Sequence, residues 1–277
     1  MNSYIQISFS NLLPEQQELL IAELAEAGFE GFEEDEKELK AFIPASKYDK
    51  QLLLGLVTHY HLQFAEEIIP EQNWNANWES SFQPVVVYDP ITGTPWVAIR
   101  AGFHEPVLHA AHEIIITPKM SFGTGHHATT YMMVQQMREL NFKDKKVFDF
   151  GTGTGILAIL AEKLGAKEIL AIDNDEWSIT NAAENTERNH CKRIRLLKAE
   201  TVPATGQFDI ILANINKNVI LEHLTGLKEI LADDGILLLS GLLTEDEKDI
   251  KEKAASLALK LISISEKNKW ISLRFNC

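Results

Sequence analysis

Short apolar strands alternate with helices of about ten residues or more in the second half of the chain, and this pattern limits the fold most strongly. The predicted strands are residues 147–150, 168–172, 194–197, 208–213 and 235–240, and the predicted helices are residues 156–164, 176–189 and 219–231. Such alternation indicates a parallel sheet that is covered by helices on both faces. Residues 257–264 and 270–275 have no helix between them and predict a closing antiparallel hairpin. We therefore predict a doubly wound, Rossmann-like α/β sheet with a C-terminal antiparallel hairpin.

The first 69 residues follow a different order, which is strand, helix, strand, strand, helix, strand. Residues 4–9 alternate apolar and polar side chains as a strand does, and residues 14–27 carry leucines at helical spacing. This order is the split βαβ pattern of small ferredoxin-like α+β modules. Residues 70–100 are rich in proline and tryptophan, which break both periodicities. We predict a ferredoxin-like domain (1–69), an ordered linker (70–100) and the α/β domain (101–277).

The net charge of −14 argues against a broad nucleic-acid-binding surface, because affinity for phosphates comes largely from Lys and Arg. The charge is uneven, since residues 1–70 hold 13 acidic and 4 basic side chains and so carry −9 of the total. A basic partner would be attracted to this segment. Solvated helix faces that keep the chain soluble by like charge explain the same composition, and the sequence leaves both interpretations open.

From the sequence we expect neither membrane insertion nor export. The longest apolar runs, such as 235–239, are far shorter than the ~20 residues that span a bilayer. Residues 1–10 contain no basic segment that leads into an apolar core. The two cysteines, Cys191 and Cys277, lie too far apart in sequence to suggest a disulfide framework or a metal cluster. We expect a cytoplasmic protein with reduced thiols and no membrane contact.

The strongest local motif is Asp-Phe-Gly-Thr-Gly-Thr-Gly-Ile at residues 149–156, between a predicted strand and a predicted helix. Gly151, Gly153 and Gly155 allow the backbone to turn sharply and approach a ligand, which the N–H groups of the helix start would face. The dinucleotide fingerprint needs glycine where this chain has Ile156, and the phosphate loop needs Gly-Lys-Ser/Thr. Gly-x-Gly-x-Gly is the form used for S-adenosylmethionine. A tight strand-to-helix turn and the loop of another nucleotide remain alternatives.

Two polar residues follow predicted strands near this loop. Asp173 ends the next strand, 22 residues after Gly151, where a carboxylate can accept hydrogen bonds from both hydroxyls of a ribose. Asn214 follows the apolar run 210–212 at the end of the fourth strand. Because ligands of open α/β sheets bind outside the carboxyl ends of the strands, we predict that Asn214 points toward the reaction centre. The alternative is that it caps the helix that begins near Val219.

A polar loop precedes a further helix near Tyr131. Residues 121–130 read Ser-Phe-Gly-Thr-Gly-His-His-Ala-Thr-Thr, which provides ample hydrogen-bonding capacity. A metal site is the alternative interpretation. However, the adjacent His126 and His127 would not converge on one ion from a regular element, and no Cys or carboxylate cluster accompanies them. We therefore predict no metal.

These motifs resemble those of a known family, the methyltransferases of large-subunit ribosomal protein eleven. The family's Phe-Gly-Thr-Gly-x-His-x-Thr-Thr loop is matched by residues 122–130, and its Asp-x-Gly-x-Gly-x-Gly-Ile-Leu-Ala-Ile motif by residues 149–159. Further matches are Trp74, Trp78, 82–85, 163–166, Asp173 and 213–215, so that the resemblance spans most of the chain. Two residues depart from the pattern. Thr152 stands where many members have cysteine, a change expected to be neutral, and Asn216 where they have leucine, which leaves substrate detail open.

The resemblance implies a methyltransferase that uses S-adenosylmethionine, forms S-adenosylhomocysteine and modifies lysine or N-terminal amines of ribosomal protein eleven, free or on the ribosome. The residues implied to bind the cofactor are Phe122, Gly123, Thr130, Gly151, Gly153, Gly155, Asp173 and Asn214. The ferredoxin-like domain would hold the ribosomal protein. We predict that Asn214 is also catalytic and orients the amine through its side-chain carbonyl. The sequence contains no clear general base, and His127 is a candidate for that role.

The sequence leaves three other functions open. A nicotinamide-dependent oxidoreductase could use the same sheet, although Ile156 replaces the last fingerprint glycine. A methyltransferase for nucleic-acid bases or glutamine would be expected to carry Asn/Asp-Pro-Pro-aromatic after the fourth strand, and this chain has no proline there. A ribosome-assembly factor that keeps the fold without the activity is the non-enzymatic alternative.

Overall fold

The computed structural model describes residues 4–10, 12, 14–35, 38–60, 62–69, 83–117 and 127–277. The chain divides into two compact units, Met1–Phe82 and Gln83–Cys277. Among the described residues, no helix combines the length and the apolar character that crossing a membrane requires.

The N-terminal unit is built on a four-stranded sheet. Its elements are β1 (Tyr4–Ser10), α1 (Pro14–Glu26), β2 (Gly31–Asp35), β3 (Glu38–Pro44), α2 (Lys50–His59) and β4 (Phe64–Ile69). The strand order is β2-β3-β1-β4, and every neighbouring pair is antiparallel. This is the ferredoxin-like topology predicted from the order of elements.

The core of this unit follows from the alternation along its central strands. Ile5, Ile7 and Phe9 of β1 are buried, whereas the residues between them are at least partly exposed. Leu24 of α1 and Leu53 of α2 pack into the same cluster. One face of the sheet is therefore covered by apolar helix residues, which satisfies a period-two strand pattern.

The C-terminal unit begins with a three-stranded sheet in the order β5-β6-β7. The strands are β5 (Val85–Tyr88), β6 (Pro95–Ala101) and β7 (His112–Ile116). The two pairs differ in direction, because β5 and β6 are antiparallel and β6 and β7 are parallel. Residues 83–100, predicted as part of the linker, thus contribute two strands. Prolines flank these apolar runs and hide their periodicity in the sequence. The rest of the predicted linker, residues 70–82 with Trp74 and Trp78, lies outside the described residues.

The main sheet of the C-terminal unit has seven strands. Its elements are α3 (Ala128–Met137), β8 (Lys146–Phe150), α4 (Ile156–Lys163), β9 (Glu168–Asp173), α5 (Glu176–Arg188), β10 (Ile194–Lys198), β11 (Phe208–Asn214), α6 (Lys217–Glu229), β12 (Leu231–Leu243), α7 (Glu247–Ser256), β13 (Lys260–Lys267) and β14 (Trp270–Asn276). The strand order is β10-β9-β8-β11-β12-β14-β13. The first five strands in this order are parallel, and β14 is antiparallel to both of its neighbours. The predicted doubly wound sheet with its antiparallel hairpin is confirmed.

The closing hairpin begins later than predicted. Strand β13 begins at Lys260 rather than at residue 257, because Leu257 is the C-cap of α7 and Ala258 has a φ of 60°. At the other end, Asn268 and Lys269 both have positive φ values, of 52° and 66°. Two consecutive residues of this kind form the tight turn that matches the twist of paired antiparallel strands.

Candidate active site

The strand order creates a crevice between β8 and β11. Within the sheet, β9 and β10 lie on one side of β8, and the next strands along the chain, β11 and β12, lie on its other side. Ligands of open α/β sheets bind outside the carboxyl ends of the strands at such a reversal. The glycine loop follows β8, Asp173 ends β9 and Asn214 ends β11. The structure therefore brings these three predicted features to one edge.

The glycine loop has a backbone that only glycine adopts easily. Gly151, Gly153 and Gly155 have φ values of 74°, 54° and 81°, in the left-handed region. Gly155 is the N-cap of α4 and offers no side-chain cap to the helix. The first N–H groups of a helix have no partner within the helix, so this start is suited to polar or negatively charged ligand atoms.

Ile215, the residue after Asn214, lies between two glycines. A Cβ atom at Gly151 would stand 2.2 Å from Cγ2 of Ile215, and one at Gly241 would stand 2.2 Å from the Ile215 carbonyl oxygen. The amide of Ile215 donates to the carbonyl of Ser240 at 3.1 Å. Because Gly151 has no side chain, it leaves room for Ile215, the residue that follows Asn214. Gly151 thus has a packing role that the motif did not reveal.

Asp173 is held by the glycine loop. Its Oδ2 accepts a hydrogen bond from the Gly153 amide at 2.9 Å, and its Oδ1 accepts one from the Asp175 amide at 3.0 Å. A carboxylate offers about four lone-pair positions, so both oxygens keep acceptor capacity. The side chain is partly exposed at the crevice. It can therefore accept the hydroxyls of a ribose while its orientation stays fixed.

Asn214 and Asn216 have different roles, and the structure separates them. The Oδ1 atom of Asn216 accepts from the Val219 amide at 3.1 Å and caps α6. Asn214 instead donates from Nδ2 to Oγ1 of Thr130 at 3.3 Å. Its Oδ1 atom is buried and has no hydrogen-bond partner among the described residues. The helix-cap alternative for Asn214 is therefore wrong. Asn216, which departs from the family pattern, is the capping residue.

The start of α3 carries Thr130 and is fixed by the C-terminal hairpin. His127 is the N-cap of α3, and its Nδ1 lies 2.8 Å from Oγ1 of Thr129. The imidazole packs edge-on against Trp270, with 4.5 Å between ring centroids. Lys267, from the same hairpin, places its Nζ 3.6 Å from the ring centroid of Tyr131. These contacts assign His127 a structural role in holding the helix start.

Asp149 is a buried carboxyl that the sequence showed only as a motif position. Burial raises the pKa of Asp149 to about 7, and the Thr152 hydroxyl, which donates to Oδ2 at 2.7 Å, opposes that rise. Oδ1 makes no hydrogen bond of normal geometry with a described residue, although the nearby Ala158 amide also favours the charged form. Thr152, the departure from cysteine, is therefore a hydrogen-bond donor to this carboxyl.

Two predicted cofactor residues, Phe122 and Gly123, lie outside the described residues, as does His126. Within the described part of the chain, no three His, Cys, Asp or Glu side chains are grouped so that they could hold a metal ion.

The described residues suit S-adenosylmethionine. The glycine loop approaches without side chains, Asp173 can accept ribose hydroxyls, and Asp149 can favour a neighbouring positive charge when ionised. The Oδ1 atom of Asn214 is the most informative, because it is buried without a donor from the described part of the chain, and such an amide oxygen is costly unless a ligand supplies a donor.

Known proteins that are similar to this chain include several members of one family. The family described as "Ribosomal protein L11 methyltransferase (PrmA)" matches residues 6–277. A ribosomal protein L11 methyltransferase of Porphyromonas gingivalis is 41% identical over 265 residues, which cover 93% of this chain and 90% of that protein. One from Chlorobaculum tepidum is 38% identical over 283 residues, with 98% and 96% covered.

A solved structure supports the same assignment. The crystal structure of a ribosomal protein L11 methylase from Lactobacillus delbrueckii subsp. bulgaricus has 32% sequence identity and a TM-score of 0.60. The match covers 65% of this chain and 93% of that one. The resemblance carried by the sequence motifs is therefore confirmed, and the chain belongs to the ribosomal protein L11 methyltransferase (PrmA) family.

Proposed function

We propose that this protein transfers methyl groups from S-adenosylmethionine to lysine or N-terminal amines of ribosomal protein L11. The observation that carries the proposal is Asn214, which ends β11 at the crevice with a buried Oδ1 that no described residue hydrogen-bonds. An acceptor in that position is suited to the N–H group of an incoming amine. Such a substrate would place the reaction in the cytoplasm, where ribosomes are assembled.

The cofactor would be held by residues from three strand ends and from α3. Asp173 would accept the ribose hydroxyls, and Gly151, Gly153 and Gly155 would line the approach. Thr130 would lie at the methyl-donor end because it is bonded to Asn214, and the family resemblance adds Phe122 and Gly123. When bound, S-adenosylmethionine supplies an electrophilic methyl group with a good leaving group already attached.

The attacking amine must be neutral, which defines the task of the protein. A free lysine has a pKa of ~10.4 and an α-amine one of ~7.7–8.0, so desolvation in the crevice would favour the reactive form. Oδ1 of Asn214 would accept an N–H from the amine and direct its lone pair. Correct positioning in a near-attack geometry can supply up to ~7–11 kcal/mol of the rate acceleration. The proposal needs no dedicated general base.

The N-terminal unit is proposed to recognise the ribosomal protein, with residues 1–69 as the recognition domain. Two of its acidic residues are in ion pairs, Glu30 with Lys47 at 2.7 Å and Glu66 with Lys50 at 2.8 Å. Others, including Glu33 of β2 and Glu67 of β4, are exposed. Ribosomal proteins are commonly basic, so this surface would steer their approach.

We expect methylation of ribosomal protein L11 to weaken as salt increases. Screening shortens the Debye length from about 14 Å at 0.05 M to about 4 Å at 0.5 M salt, so kcat/KM for the protein substrate should fall by about tenfold. Initial rates across this range measure the effect. The double variant Glu33→Gln and Glu67→Gln should flatten the dependence, and a rate that is indifferent to salt would exclude steering.

Mass spectrometry tests the proposed function directly. Purified ribosomal protein L11 is incubated with the enzyme and S-adenosylmethionine, and increments of about 14 Da mark each transferred methyl group. Calorimetry with S-adenosylhomocysteine and with a nicotinamide cofactor measures cofactor choice separately. Cofactor binding without any mass increment on free or ribosome-bound substrate would favour an assembly factor instead.

A further inference from the structure

Three asparagines form a line on one face of α5. Asn181, Asn185 and the C-cap residue Asn189 are spaced by four residues, which places them above one another on a helix. Asn181 and Asn185 are 1% and 0% exposed, so their amides lie inside the protein. Buried amides are retained only where their hydrogen bonds are satisfied, which makes their partners informative.

Two of these amides bond to the end of β7 as a neighbouring strand would. Asn189 accepts from the Ile115 amide at 3.0 Å and donates to the Ile115 carbonyl at 2.6 Å. Asn185 accepts from the Thr117 amide at 2.8 Å. Two residues along a strand span about 6.6 Å and four along a helix span about 6.0 Å, so the two spacings agree. The helix therefore holds this strand end in register.

Asn185 makes one further contact that Asn189 does not make. Its Nδ2 atom donates to the carbonyl oxygen of Thr154 at 2.9 Å. Thr154 lies within the glycine loop, between Gly153 and Gly155, and is 2% exposed. One buried amide thus joins the glycine loop to the strand end at Thr117.

We propose that Asn185 is a positioning residue that sets the glycine loop for cofactor binding. It does so by fixing the Thr154 carbonyl and the Thr117 amide relative to α5. The inference rests on the proposed function, because it takes the glycine loop as the site of S-adenosylmethionine. Outside α5, the hydrogen bonds of the Asn189 amide to described residues go to β7. A comparison of Asn185 with Asn189 therefore separates support of the glycine loop from support of the strand.

The test compares Asn185→Ala with Asn189→Ala by calorimetry using S-adenosylhomocysteine. Asn185→Ala should weaken binding by about tenfold, whereas Asn189→Ala should remain within twofold of wild type. Both variants should lower Tm, and Asn189→Ala removes two bonds to the end of β7 whereas Asn185→Ala removes one. If Asn185 had a purely structural role, the larger loss of cofactor affinity would therefore be expected for Asn189→Ala. In steady-state assays Asn185→Ala should raise KM for S-adenosylmethionine and leave kcat within threefold.

A wild-type measurement secures the result against poor folding, and a second variant tests the donor role of Asn185. Asn185→Asp keeps an acceptor for Thr117 but loses the donor to Thr154, so it should retain the binding defect. In the wild type, S-adenosylhomocysteine should increase hydrogen-exchange protection of the Thr117 amide more than that of Ile115. Equal protection of the two amides, or equal affinity in the two alanine variants, overturns the inference. Failure of the wild type to bind would instead contradict the proposed function.

Discussion

Gly151→Ala should lower the free energy of unfolding by about 3 kcal/mol and weaken S-adenosylhomocysteine binding by about tenfold. A φ of 74° costs an alanine about 1 kcal/mol, and its Cβ would also stand 2.2 Å from Cγ2 of Ile215. The shifts of side chains and backbone that remove such a contact in a packed region typically cost about 1–3 kcal/mol more. Urea denaturation measures the first effect and calorimetry measures the second.

Gly93→Ala is the matched control for this substitution. Gly93 has a φ of 70°, but apart from its two chain neighbours no described residue comes within 4 Å of the position that its Cβ would occupy. It should therefore show only the backbone cost of about 1 kcal/mol. In an Ile215→Ala background the cost of Gly151→Ala should approach that of Gly93→Ala, because the clashing methyl is gone. Equal costs for the two glycine variants in the native background would exclude the proposed packing role.

The sequence predicted those parts of the fold that repeat a local period. Apolar strands between amphipathic helices indicated the parallel sheet, and the glycine spacing located the loop after β8. Asp173 was predictable because the end of the strand after a glycine loop is a fixed position in such sheets. These predictions needed no knowledge of distant contacts.

Contacts between distant segments were not predictable in this way. Asn185 and Asn189 bond to residues 68 and 74 positions earlier in the chain, and nothing in α5 alone indicates that partner. Strands β5 and β6 were hidden by the prolines around them. Burial of Asp149 likewise depends on strands from both sides of β8. The raised pKa of Asp149 therefore could not be predicted from the local sequence.

Two asparagines separated by one residue show the same limit at the site itself. Either Asn214 or Asn216 could cap α6 by composition, since both are good N-cap residues. The choice depends on where β11 ends, and secondary-structure boundaries are the least certain part of a prediction. The structure places the cap at Asn216 and leaves the Asn214 amide in the crevice beside Thr130.

Asn214→Ala should lower kcat for methylation of ribosomal protein L11 by about 100-fold, or about 2.7 kcal/mol. The substitution removes the acceptor that orients the amine, and orientation is where we expect this protein to supply most of its acceleration. Affinity for S-adenosylhomocysteine should change by less than about threefold, because Asp173 and the glycine loop remain. Single-turnover rates and calorimetry measure the two effects separately.

Asn216→Ala provides the comparison that isolates the role of Asn214. It is the same substitution two residues away, and it removes the cap on the Val219 amide. Loss of an N-cap typically costs about 1 kcal/mol of stability, so Tm should fall while kcat stays within twofold of wild type. Asn214→Asp, which keeps an acceptor oxygen, should recover part of the lost rate. Equal losses of turnover and cofactor affinity in Asn214→Ala would mean that the residue serves the cofactor rather than the amine.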